Sequence, residues 1–428
     1  MTRAIVAVAL AAAVAPSRAW AQTEVSPPPP PPVTDEAAIR KALEADKPAE
    51  PAPAPAPAAA PGGEAAASLS AQAGARPAGT GLLNPNISVI VDGSFGYYGV
   101  HHADFDAVGV PESGDDPAAH RDGFTLQEVE LAFQTAIDPY LEGAVFLTIP
   151  NLEGIEVEEA YFTTTALPGN LQLKGGSFRS QLGRNNNQHL HLQNFTRRPL
   201  MTPLLFGPDG FRGPGLQASL LIPKLPWFAT LYAEAFSIDA PEAGVASFGG
   251  GKRSPKNLTY AAVLEQFWSP SDAVSLLLGL NFASGIASTC ALPPCEGGPR
   301  DYLYGGDLYF KWRPEGARGE SLSLRWSTEY FARKIGDGGP HEGALYTEPV
   351  LQVAKRWYLG ARFDLTGVPS GPNVPRRYGE SLSVTFAPTE FSRFRLYGQV
   401  LSGPDVDAAL VGFLQAEFSM GAHGAHPF

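Results

Sequence analysis

After its first two dozen residues, this sequence has no long apolar run. A membrane-crossing helix needs ~20 consecutive apolar residues, and the one sustained run, Ala4 to Val14, is shorter than that. Any crossing must therefore be made by something other than a helix. Cysteine is scarce as well: the two in 428 residues are Cys290 and Cys295, in Cys-Ala-Leu-Pro-Pro-Cys. Two thiols with no histidine nearby in sequence do not supply a four-ligand metal site. In an oxidising compartment the pair is expected to staple one loop as a local disulfide. Positive charge is in deficit, with 31 Lys and Arg against 43 Asp and Glu, a net charge of −12 and a pI near 5.2. That balance argues against a nucleic-acid partner. No Gly-x-Ser-x-Gly elbow, His-Glu-x-x-His helix or phosphate-cradling loop occurs in a usable context. The chain is read as non-enzymatic and without a cofactor.

What is present divides into three regimes. Residues 1–21 read as a secretory signal: Arg3 is the positive end, Ala4 to Val14 the apolar core, and Ala19-Trp20-Ala21 the small-residue cleavage site. Residues 22–84 are rich in Pro and Ala, with a polyproline run from Pro27 to Pro32 and alternation from Pro51 to Pro57. Such composition favours extended polyproline II and cannot bury a core, so a disordered periplasmic tether is expected, with one brief helix over Thr34 to Ala45.

From residue 85 to 428 the chain becomes a series of about sixteen short alternating segments. They start near Ile87, Phe124, Leu141, Ile155, Leu171, Gly215, Trp227, Leu258, Ala273, Asp301, Ser321, Leu345, Tyr358, Ser381, Ser392 and Ala408. Short connections such as Asp138-Pro139-Tyr140, Leu167 to Asn170 and Pro388-Thr389-Glu390 alternate with long ones such as Gly99 to Gly123, Ser180 to Pro214 and Ser284 to Arg300. This asymmetry fits an outer-membrane barrel with short periplasmic turns and longer outer loops. The 344 residues after residue 84 leave roughly 21 per segment, enough for a tilted span of ~9–11 residues and a connection.

The last segment is the clearest. Leu410, Gly412, Leu414, Ala416 and Phe418 share one face, while Val411, Phe413, Gln415 and Glu417 share the other. A strand of this kind is expected to close the barrel against an early one, because lipid offers a free edge no partner. Trp227, Trp268, Trp312, Trp326 and Trp357 all fall near short turns, as an aromatic girdle at the membrane interface requires. The expected fold class is all-β: a transmembrane antiparallel β-barrel of about sixteen strands, in the outer membrane of a Gram-negative bacterium, among lipid and lipopolysaccharide.

Function is sought in the lumen. The connection Ser180 to Pro214, extended back to Arg179, holds Arg179, Arg184, Arg197, Arg198 and Arg212 against one acid, Asp209. Folded inward, it would narrow the pore and line it with guanidinium groups, which meet phosphate or carboxylate oxygens two at a time. Left outside, its arginines would pair with lipopolysaccharide phosphates. The inward placement is expected, with Arg184, Arg197 and Arg198 as the positive part of the constriction. Strand phase points Lys311, Arg325, Arg362, Arg393 and Arg395 into the lumen, together with the acids Glu128 and Glu130. The phase of the fourth strand, with Glu156, Glu158 and Glu159, stays ambiguous.

The run Gly175-Gly176-Ser177-Phe178-Arg179, followed by Gly183, Asn187, His189, His191 and Pro199, resembles the phosphate-selective porin family. Asp138-Pro139-Tyr140 and Glu158-Glu159-Ala160-Tyr161 are similar to that family's early strands. The resemblance covers roughly Asn86 to Phe428 and implies a sixteen-stranded porin, commonly trimeric, in which an arginine ladder and central lysines hold the anion. Here arginines are present, while Lys174 and Lys311 stand apart from each other. A TonB-dependent receptor would add a plug and about twenty-two strands, for which 344 residues leave no room.

The eight histidines include His189 and His191, two apart. A zinc site across loops is conceivable for imidazoles, but no carboxylate pattern in the sequence supports one, and no metal ligand is assigned. Three function classes result. The leading one is a passive porin for small hydrophilic solutes, anion-preferring and phosphate-like. The others are a metal-linked, zinc-regulated uptake barrel and a structural barrel with a blocked lumen.

Overall fold

The computed structural model describes residues 85–421 apart from 100–121, 152–153, 208, 239–247, 249–256, 288–299, 317–318, 320 and 337. The signal, the tether with its expected helix, and Cys290 and Cys295 lie outside the described residues.

Sixteen antiparallel strands close into one barrel in chain order. They are β1 (Asn86–Tyr98), β2 (Gly123–Asp138), β3 (Leu141–Pro150), β4 (Glu156–Thr164), β5 (Leu171–Arg179), β6 (Arg212–Leu221), β7 (Phe228–Phe236) and β8 (Thr259–Ser271). The second half is β9 (Val274–Ile286), β10 (Arg300–Trp312), β11 (Ser323–Ile335), β12 (His341–Ala354), β13 (Trp357–Thr366), β14 (Arg377–Thr389), β15 (Ser392–Gly403) and β16 (Val406–Gly421). Every expected strand is present, and the starts differ by at most a few residues. The larger differences are at the long-loop ends, where β6, β12 and β14 begin earlier than the apolar pattern shows. Their ladders continue through polar residues such as His341, Glu342 and Arg377. Arg212 thus belongs to β6 rather than to the preceding loop.

The closing seam pairs β16 with β1 from Ser88↔Gly421 to Tyr98↔Val411. On β16, Leu410, Leu414 and Phe418 point outward and are exposed, while Val411, Phe413, Gln415 and Glu417 are buried toward the lumen. The same alternation continues around the barrel and leaves a belt of exposed large apolar residues outside; Leu216 is 65% and Leu382 69% exposed. In water such a surface would aggregate; against acyl chains it is the stable arrangement. Trp357 and Phe386 pack as tilted rings with centroids 4.7 Å apart beside the turn at residues 355–356, and Trp227 and Trp268 lie 6.1 Å apart beside neighbouring short turns. Aromatic residues therefore mark the short-turn end, as an interfacial girdle does. Closure, lipid-facing belt and girdle together make this an outer-membrane barrel.

A β-bulge resolves the phase of β4. Phe146 pairs with Glu159 and Leu147 with Val157, so Glu158 is the extra residue and both glutamates turn inward. An even strand number puts the start of β1 and the end of β16 on the short-turn side, which is the periplasmic side of such barrels. A cysteine placed at Thr389, at the end of β14, is therefore expected to resist a membrane-impermeant thiol label on intact cells and to react after the outer membrane is opened. Labelling from outside would invert the topology.

Candidate functional site

The connection from Ser180 to Phe211 runs inside the barrel. Its middle forms a 3-10 turn at Leu190–Leu192 and a short helix, α1 (Met201–Leu205), and most of its residues are buried. Gly183 marks the entry: its φ is +72°, and a Cβ there would meet Glu329 at 2.5 Å and Phe331 at 3.1 Å. A glycine is the residue that fits both the backbone and the wall.

Three sectors of the wall hold the loop, each by different chemistry. The first, on β7 to β11, is acidic and amide-rich and accepts the loop's N–H groups. Gln181 N–H donates to Glu234 (3.0 Å), Gly183 N–H to Asn281 (3.0 Å) and Asn185 N–H to Glu329 (2.7 Å), while the Ser180 hydroxyl donates to Glu234. The second, on β13 and β15, is basic and donates to the loop's carbonyls. Arg362 reaches Arg197 O (2.8 Å) and Arg198 O (3.3 Å), Arg395 reaches Gln193 O (2.8 Å), and Arg393 reaches His191 O. These arginines also hold wall acids: Arg362 with Asp364 (2.9 Å) and Arg393 with Glu417. A loop inside a barrel must have its main-chain groups satisfied; the first sector accepts from its N–H groups, and the second donates to its carbonyls while Asp364 accepts from Leu200 N–H (3.0 Å).

The third sector, on β2, β4 and β5, gathers Glu130, Glu158 and Glu159 around the loop's His189. The ring Nδ1 lies 3.1 Å from Glu130 Oε2 and 3.0 Å from Glu158 Oε2, and Nε2 lies 2.8 Å from Glu159 Oε1. His191 Nδ1 approaches the same Glu130 oxygen at 3.1 Å, and Arg179 holds Glu158 from the other side. Burial disfavours a charged ring, yet Glu158 and Glu130 outweigh it and hold the His189 pKa well above the ordinary imidazole value. In sequence Glu130 and His189 are 59 positions apart, so nothing local links them. The pairing of adjacent glutamates on a bulged strand with a His-x-His loop was the available signal.

The sequence-selected arginines fall into distinct places. Arg179 and Arg212 pair in register at the base of the loop and neutralise Glu158 and Asp209. Arg197 and Arg198 are 7% and 3% exposed; Arg197 donates to Gln399 (3.0 Å) and Arg198 to the Gln188 carbonyl (3.3 Å). Glu128, like Glu130, is buried on the inner face of β2. Arg184 reaches the partly open side of the lumen, where its guanidinium lies 3.9 Å from the centre of the Tyr309 ring. Two residues further along β10 stands Lys311, in register with Arg325 of β11, which itself faces the Tyr358 ring at 5.7 Å. The structure thus places Lys311 and Arg325 side by side near the short-turn ends of β10 and β11, with Arg184 over Tyr309, the preceding inward residue of β10.

No family model matches the chain. An uncharacterized protein of Aquifex aeolicus is 29% identical over 379 residues, 80% of each chain. Among solved structures, the anion-selective porin from Comamonas acidovorans matches 79% of this chain and 99% of its own, with a TM-score of 0.52 and 10% identity. Pseudomonas putida OprB matches 79% and 94%, with a TM-score of 0.50 and 13% identity. The trimer form of Vibrio cholerae OmpT, an outer membrane protein, matches 79% and 99%, with a TM-score of 0.50 and 10% identity. At these identities the likeness shows the fold: a sixteen-stranded barrel of the kind found in outer-membrane porins.

Proposed function

We propose that this chain is an outer-membrane porin that passes small hydrophilic solutes, with a preference for phosphate-like anions, through a lumen narrowed by its own infolded loop. The observation that carries this reading is the placement of Arg184, Lys311 and Arg325. Lys311 and Arg325 stand side by side in the ladder on the lumen face of β10 and β11. The two guanidinium groups can hold an oxyanion through paired N–H donors, and the positive sector lies within about a Debye length, ~8 Å, of an ion passing a narrowed lumen. The resemblance to phosphate-selective porins supports the same reading, as does the barrel's likeness to an anion-selective porin. A homotrimer fits it too, with lipid and lipopolysaccharide around the exposed apolar belt.

A second reading has its own observation. Leu204, Leu205 and Phe206 of the loop pack with Phe236, Phe331 and Tyr346 of the wall into an apolar cluster. Apolar packing inside the lumen fits a barrel whose passage is closed until the loop moves.

Planar-bilayer recording of the purified barrel separates the two. In a potassium chloride gradient the wild type is expected to conduct with an anion-selective reversal potential. Replacing both Lys311→Glu and Arg325→Glu is expected to lower the anion-to-cation permeability ratio roughly tenfold, since the pore's fixed charge changes sign there. An unmoved reversal potential would refute the assignment of this sector. Absence of any channel from folded protein would favour the closed barrel.

A further inference from the structure

The third gripping sector has more chemistry than anchoring requires. In the other two, each loop group meets one or two complementary wall groups. Here three carboxylates converge on one imidazole, and two of them, Glu130 and Glu158, meet the same ring nitrogen. A single N–H can point at one oxygen, not at both. We infer that Glu130, Glu158 and His189 form a binding site for a divalent transition-metal cation of the zinc type, which fastens the loop to the inner wall of the barrel.

The geometry supports this in three ways. The three donor atoms lie within 4.8 Å of one another, and all three residues are buried. The two separations from Nδ1 are 3.0 and 3.1 Å, whereas donors around a tetrahedral zinc with bonds of ~2.0–2.1 Å stand about 3.3–3.5 Å apart. An expansion of a few tenths of an ångström would admit the ion. The far side of the ring supplies the second argument. Glu159 Oε1 lies 2.8 Å from Nε2, the place where metal-bound histidines meet an orienting carboxylate. Arg179 similarly grips Glu158 through Oε1, leaving Oε2 turned toward His189. Third, His191 Nδ1 sits 3.1 Å from Glu130 Oε2, close enough to become a fourth donor after a small rotation. Imidazole with carboxylates selects zinc-like ions over calcium or magnesium, which prefer all-oxygen shells.

The inference does not depend on whether the lumen conducts. It is tested on the full-length folded barrel, stripped with a chelator and titrated with zinc chloride by calorimetry. One zinc per chain is expected. His189→Gln should weaken binding at least a hundredfold. Glu159→Gln, which removes a positioning residue and leaves all three ligands, should weaken it ten- to a hundredfold. His341→Ala, on the rim beside Tyr304, should leave it unchanged. Folding of each variant is checked by heat-dependent mobility. Should His189→Gln fail to fold, cobalt substitution of the wild type decides, because low-coordinate cobalt in a nitrogen and oxygen shell absorbs visibly. No zinc uptake, equal uptake by His189→Gln, or no cobalt band each overturn the site and leave a proton on His189 as the balancing charge.

Discussion

Replacing Arg362 with methionine is expected to free the infolded loop and raise single-channel conductance several-fold while the barrel itself stays folded. Arg362 is 2% exposed and holds two consecutive loop carbonyls, the wall acid Asp364 and the face of Phe195. Removing one partner of a buried ion pair costs about 3–5 kcal/mol, chiefly because the other charge is left without compensation. That cost falls on the loop rather than on the ladder, since the strand pairs of β13 with β12 and β14 are main-chain bonds that methionine preserves. The loop has a way to avoid the cost: by moving away, it lets water reach Asp364. Released loop would expose the Arg197–Arg198 bond to trypsin, which the burial of both residues now prevents. Conductance and limited trypsin cleavage should therefore change together, with heat-dependent mobility unaltered. Unchanged conductance and unchanged protection would show that Arg393, Arg395 and the acidic sector hold the loop without Arg362.

The loop's grip also shows where a sequence can and cannot be read. Alternation on β16 and the clustering of tryptophan near short turns are local properties, imposed by the two-residue repeat of a strand and by the water–lipid interface, so they survive in the bare sequence. The inward direction of Lys311, Arg325, Arg362, Arg393 and Arg395 follows from the same repeat. What those inward groups meet does not. Arg393 finds the His191 carbonyl 202 residues away, and Arg197 finds Gln399 across the same distance. Periodicity separates lipid from lumen, but a lumen filled by water and one filled by loop give the same pattern. Hence Arg197 and Arg198 look like pore-lining residues in sequence, yet they are packed between loop and wall. The bulge at Glu158 is a similar case: one extra residue reverses the phase of a short strand, and only its pairing with β3 shows where the residue is inserted.

Gly176→Val is expected to prevent the barrel from folding to a stable form. Gly176 has a φ of +136°, a conformation that valine scarcely enters. A Cβ there would lie 2.2 Å from the Ala160 carbonyl oxygen and 2.7 Å from Tyr161 Cα. Both are main-chain atoms of the neighbouring strand, so no side-chain rotation relieves the contact. The strand pair concerned is also the shortest in the barrel, with four registered pairs from Ala160↔Ser177 to Thr163↔Lys174. Backbone strain of ~1–3 kcal/mol and the loss of part of that ladder combine to several kcal/mol, in the range where single substitutions unfold marginal proteins. The effect should extend beyond the two strands. β4 carries Glu158 and Glu159, and β5 ends at Arg179 and leads into the loop, so a displaced β4–β5 pair also undoes the third grip on the loop. The measurement is the fraction of refolded protein with barrel mobility on unheated gels, followed by the urea midpoint of whatever folds. Gly398→Ala serves as the comparison, because a Cβ there meets its nearest atom, the Val411 carbonyl oxygen, at an ordinary 3.9 Å. If Gly176→Val folds as well as Gly398→Ala, the close approach of β4 to β5 is not a requirement of the fold.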